Sequence, residues 1–82
     1  MDWELLAFVK MSEQRQNVLK ALTEPKIPSE LAKSLKMDLS HVSRALLQLE
    51  EKKLVKCLNP DTRKGRFYQR TEKATQILAQ LK

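Results

Sequence analysis

A mainly α-helical domain with one small β-hairpin is the fold class this sequence predicts, and three observations predict it. Apolar residues recur at three- and four-residue steps in several separate stretches. Two of those stretches, 28–36 and 40–53, are joined only by Met37-Asp38-Leu39, the spacing of a helix-turn-helix. Two short runs of strand-forming residues flank a polar turn cluster that holds the chain's one glycine.

The elements follow in order. Asp2 offers a cap to a first helix from Trp3 to Met11. There Trp3, Leu5, Leu6, Phe8 and Val9 cover more than one face, too much for a lone surface helix. Segment 1–11 is therefore expected to bury one face against a second subunit; the alternative is that the rest of the domain wraps it. Ser12 offers another cap, with Glu13 well placed for the helix dipole, and Val18, Leu19 and Leu22 continue a stripe. Met11-Ser12 is compatible with a kink in one bent helix or with a boundary between two. Thr23-Glu24-Pro25 ends this segment, because the residue before a proline avoids helical geometry. Lys26-Ile27 has the length of a very short strand. Pro28 or Ser29 then starts a helix with Leu31, Ala32 and Leu35 facing inward.

Ser40 to Lys53 is the stretch around which the rest is organised. Val42, Ala45, Leu46 and Leu49 share one face, and Ser40 is expected to cap the start. The opposite side presents His41, Ser43, Arg44 and Gln48. Leu54–Leu58 and Arg66–Arg70 read as strands around Asn59-Pro60-Asp61-Thr62-Arg63-Lys64-Gly65, so they form a hairpin with Arg63 and Lys64 at its tip and Arg66 beside it. Thr71 caps a last helix with Ala74, Ile77, Leu78 and Leu81 on one face. The expected organisation is a single domain, 1–82, made of an N-terminal helix (1–11), a helix-turn-helix with hairpin (12–70) and a C-terminal helix (71–82).

Charge placement narrows the partner. The net charge is +6. Met1 to Leu39 is neutral, with six basic and six acidic residues, whereas Ser40 to Arg70 holds eight basic residues against Glu50, Glu51 and Asp61. A positive excess gathered on one helix and the segment after it is the electrostatic footprint expected of a nucleic-acid binder.

Other function classes find little support. No apolar run reaches the ~18–20 residues of a membrane span. The apolar N-terminal stretch has no basic leader or cleavage-like site, so it is not expected to be a signal peptide. The single cysteine, Cys57, forms no internal disulfide, which fits a reducing cytoplasm. Its position in a strand marks it as a small core residue; a redox switch is the alternative and requires an exposed, low-pKa thiol. His41 is the only histidine, short of the three or four ligands zinc needs. Glu50 and Glu51 diverge on a helix and make no catalytic pair, and no phosphate-binding glycine loop exists. The expectation is a non-enzyme without metal or cofactor.

The stretch M-D-L-S-H-V-S-R-A-L-L-Q-L-E-E-K-K-L-V resembles the recognition-helix signature of the MarR and ArsR families of transcriptional regulators. N-P-D-T-R-K-G-R-F-Y-Q-R-T-E-K-A resembles their wing and the start of the helix after it, and Asp61-Thr62-Arg63 is similar to the MarR wing triplet. The resemblance runs from Ser12 to about Leu78 and implies a winged helix-turn-helix. Three positions depart from it: Lys53 where glycine is common, Arg70 where leucine often precedes the threonine, and Ala74 where glycine is usual. MarR proteins are also longer, with further dimerisation helices and a ligand pocket, so no small-molecule ligand is expected here.

What the resemblance implies is a sequence-specific, double-stranded DNA-binding transcriptional regulator, expected to be a cytoplasmic repressor. Helix 40–53 would enter the major groove, with Arg44 forking onto a guanine edge and Gln48 pairing with adenine. Ser40, His41 and Ser43 would reach phosphates or base edges, and Leu47 a thymine methyl. In the MarR wing the acid orients an arginine into the minor groove; here Arg63 and Lys64 would bind phosphates or enter a narrow minor groove, with Arg66 beside them among the DNA-binding residues of the wing. A homodimer would form through Trp3, Leu5, Leu6, Phe8 and Val9 with Ile77, Leu78 and Leu81. Its recognition helices would lie ~34 Å apart and favour an inverted repeat. Two alternatives remain: a winged-helix protein-interaction module, which needs no base contacts, and an RNA-binding winged helix.

Overall fold

A computed structural model describes residues 2–81. Helix α1 (Trp3–Lys10) starts where the Asp2 carboxylate accepts from the Leu5 N–H at 3.0 Å. It stops at Met11, and the Ser12 hydroxyl accepts from the Arg15 N–H to begin α2 (Glu13–Ala21). Met11-Ser12 is therefore a boundary between two helices. After Thr23-Glu24-Pro25, Lys26 pairs with Tyr68 as an isolated antiparallel bridge, with N···O distances of 3.1 and 2.9 Å. Pro28 fills the first position of α3 (Pro28–Leu35), where its missing N–H costs nothing, and Glu30 reaches back to accept from the Ile27 N–H.

The next helix, α4 (Leu39–Glu51), begins one residue earlier than expected. Asp38, not Ser40, is the capping position: the Asp38 carbonyl accepts from His41 and Val42, and no side chain caps this end. Ser40 is already inside the first turn. At the other end Lys53 adopts φ 61°, the left-handed conformation that favours glycine. Lys53 N–H donates to Glu50 and Leu54 N–H to Leu49, both at 2.9 Å, which closes the helix as a Schellman motif over the buried Leu54. The departure at Lys53 thus keeps the glycine geometry, at a cost of about 1 kcal/mol for a side chain held there. Lys36 (φ 55°) ends α3 in the same left-handed conformation, which the sequence did not signal.

Strands β1 (Val55–Cys57) and β2 (Tyr68–Arg70) pair antiparallel in the register Val55↔Arg70, Lys56↔Gln69, Cys57↔Tyr68. The Thr71 hydroxyl accepts from Ala74 N–H to start α5 (Glu72–Gln80), and donates to the Lys53 carbonyl at 2.9 Å. One side chain therefore ties the end of α4 to the start of α5. The result is a winged helix-turn-helix: five helices and one two-stranded hairpin among the described residues.

The core is apolar throughout, with no buried charge among the described residues. Val42, Ala45, Leu46 and Leu49 of α4 pack with Val18, Leu19 and Leu22 of α2, with Leu31 of α3, and with Leu54, Val55 and Tyr68. Leu5 and Val9 from α1 join the same core, as do Ala74 and Ile77 from α5. That corrects the dimer expectation at Leu5, Val9 and Ile77, whose side chains are spent inside this chain because α1 and α5 pack on each other and on α2. Leu6, Phe8, Leu78 and Leu81 are half-buried against that core, and the apolar surface of α1 that stays open is Trp3, Ala7 and Met11. No described helix is long and apolar enough to cross a membrane.

Candidate nucleic-acid interface

With its apolar stripe turned into the core, α4 exposes the face opposite. Leu39, Ser40, Ser43, Arg44 and Leu47 lie along it, ending at Glu50 and Glu51. Leu47 is 58% exposed, although the residue before it is fully buried, as the 100° step per residue requires. The amino end of α4 carries no capping side chain, so its first N–H groups and the helix dipole favour an anion there. Glu50 and Glu51 sit at the other end, where they repel phosphate, whereas the amino end carries one exposed carboxylate, Asp38, beside His41.

His41 and Gln48 lie on the flank of this face. His41 is exposed, with Nδ1 3.9 Å from the Asp38 carboxylate; both groups are in solvent, so this pair adds little stability. It is the only contact within 4 Å between a basic and an acidic side chain among the described residues, which leaves Arg44, Arg63 and Lys64 without an acidic partner. Gln48 is half-buried, and its Oε1 accepts from Arg15 Nε at 3.2 Å. Gln48, expected to pair with adenine, thus has its carbonyl engaged by Arg15.

The hairpin loop is preformed by two side chains. Asn59 Oδ1 accepts from the Phe67 N–H at 2.8 Å, while its Nδ2 donates to the Gly65 carbonyl at 3.1 Å. Gly65 takes φ 68°, which a side chain there would resist. Arg66 is folded back, donating from Nε to the Thr62 carbonyl and from Nη2 to the Pro60 carbonyl at 3.2 Å. Arg66, expected among the DNA-binding residues of the wing, instead braces the loop with its guanidinium. The pairing of Asp61 with Arg63 that the family resemblance implied is not formed among the described residues, because Asn59 and Arg66 shape the loop instead. Arg63 and Lys64 stay exposed at the tip.

Three supporting residues carried no sequence signal for their role. Arg15 belongs to α2 and reaches both α1 and α4. Arg70 donates to the Leu19 carbonyl at 3.0 Å, which accounts for an arginine where the family prefers leucine. Asn59 was legible only as a turn residue, although asparagine's habit of bonding nearby backbone pointed toward its loop-closing role. Cys57 is half-buried with Sγ 3.7 Å from Asn59 Oδ1. No described group of three or more histidine, cysteine, aspartate or glutamate side chains is placed to hold a metal ion.

No protein-family model and no curated protein matches the chain. Solved structures do. An Escherichia coli MarR variant complexed with operator DNA is 29% identical over 94% of this chain and 57% of its own, with a TM-score of 0.76. The Streptococcus pyogenes adhesin competence repressor AdcR is 20% identical over 90% of this chain and 56% of its own, with a TM-score of 0.77. A Lactococcus lactis ZitR variant is 24% identical over 89% and 51%, with a TM-score of 0.76. The chain thus spans about half the length of the solved structures it matches.

Proposed function

We propose that this chain, a MarR-like winged helix-turn-helix, is a sequence-specific duplex-DNA-binding transcription regulator and not an enzyme. The observation that carries this reading is the outward face of α4, where Arg44 stands unpaired among hydroxyls on a helix whose apolar side is wholly in the core. An α-helix fits the major groove, and a guanidinium fork matches the O6 and N7 acceptors of guanine. Arg44 is the base reader, Ser40, His41 and Ser43 reach phosphates or base edges near the amino end, and Leu47 meets a thymine methyl. Arg63 and Lys64 at the wing tip contact the backbone or a narrow minor groove. A homodimer through Trp3 and its half-buried neighbours on α1 and α5 would read an inverted repeat, and repression by blocking promoter access follows from such occupancy.

A salt titration of binding to a mixed-sequence duplex tests the nucleic-acid reading. Affinity is expected to fall steeply with salt, and Arg63→Ala and Lys64→Ala are each expected to reduce the log–log slope by about 0.9. Duplex DNA is expected to outcompete single strands and RNA. Salt-insensitive binding would favour the protein-interaction alternative, and preference for RNA the other.

A further inference from the structure

We infer that Arg15 is a positioning residue for DNA recognition, fixing the direction of α4 against α1 by holding Gln48; this rests on the DNA-binding reading above. The last carbonyls of α1 need partners outside that helix. Met11 N–H serves Ala7, Ser12 N–H serves Val9, and Gln16 Nε2 serves Lys10. The Phe8 carbonyl is served by Arg15 Nη1 at 2.7 Å, which places a cation at the negative end of the α1 dipole. The same guanidinium lies 3.8 Å from the centroid of the Phe8 ring, so its plane is set by a bond and a stack together. From that fixed plane Nε donates to Gln48 Oε1 at 3.2 Å.

Gln48 stands one helical turn beyond Arg44. Val42, Ala45, Leu46 and Leu49 fix which face of α4 turns into the core. The bond from the anchored Arg15 adds a directional restraint on the outer part of that helix. A small rotation or slide of α4 past α1 strains the Gln48 bond, so Arg15 refines where Arg44 points. Trp3 is exposed on the same α1 that Arg15 grips, so Arg15 is a hydrogen-bonded link between that helix and the base-reading one.

The test is a double-mutant cycle on affinity for a duplex site selected by the wild type, with every protein held well below its unfolding midpoint. Arg15→Met and Gln48→Met are each expected to weaken binding about tenfold, and the double variant no further than either. The salt slope is expected to stay that of the wild type, and base preference to relax only at the position that Arg44→Ala relaxes. Arg15→Lys keeps the charge at the end of α1 but lacks the Nε–H; it is expected to lose the same factor, and it covers a failure of Arg15→Met to fold. Additive losses, wild-type affinity in Arg15→Lys, a salt slope reduced by Arg15→Met, or base preference in Gln48→Met that is unchanged or altered at a position other than the Arg44 one would each overturn the proposal. A wild type that binds no duplex defeats the DNA-binding reading, and the Arg15 proposal falls with it.

Discussion

Arg44→Ala is expected to weaken binding to a selected duplex site by about 1–3 kcal/mol, roughly five- to 150-fold, and to relax base preference at one position in each half-site. The size follows from what is lost. Arg44 is exposed, has no acidic partner among the described residues, and lies between Ser40, Ser43 and Leu47 on the outward side of α4. No intramolecular ion pair has to be broken before it meets a base, so only its hydration opposes the bonds to guanine proposed for it. Arg44→Lys separates charge from geometry. It keeps the positive charge and is expected to keep the salt slope, yet the two-pronged donor is gone and base preference should relax as in the alanine variant. Anisotropy titrations against the selected site and its single-base variants read both effects. Full affinity and unchanged preference in Arg44→Ala would remove it from the reading role.

The second large effect concerns stability and separates two adjacent leucines. Leu46→Ala is expected to destabilise the fold by about 2–5 kcal/mol, from lost burial plus the cavity left between α4 and its neighbours. Leu46 is 1% exposed in the shared core. A small domain has a total stability of about 5–15 kcal/mol, so this substitution alone removes a large share of it. Leu47→Ala, one residue along, is expected to change stability by less than about 0.5 kcal/mol, because the side chain already lies in solvent. Urea unfolding of the two variants side by side checks the assignment. Equal losses would mean that α4 is rotated from the orientation described.

Why these two residues part so cleanly also explains what the sequence could convey. The α4 stripe at 42, 45, 46 and 49 is a periodic signal, and periodicity survives in one dimension. Likewise the hairpin was readable from its turn cluster, and the caps at Asp2, Ser12 and Thr71 from their residue type and position. The cap of α4 was misplaced because Asp38 and Ser40 are both capping residues two apart, and the choice depends on how Lys36 and Met37 end α3. Composition showed that α1 has more apolar surface than one face holds, but not what covers it; α5 and α2 cover Leu5 and Val9.

The arginines were the least legible. Arg15 finds Gln48 33 residues away, and Arg70 finds Leu19 51 residues away. No local pattern encodes which carbonyl a long, flexible cation will meet. The same limit applied at the wing, where Arg63 and Arg66 look alike in sequence. One is exposed at the tip and the other is folded onto Thr62 and Pro60.

Selection of bound sites from a random duplex pool tests the central claim most directly. Enrichment of one motif containing guanine at the Arg44 position is expected, arranged as an inverted repeat with half-site centres ~34 Å apart, one turn of DNA. An enriched but asymmetric single half-site would contradict the dimer while leaving the reading of bases intact. A pool that emerges from repeated selection with no enriched sequence would contradict sequence-specific recognition by α4 altogether.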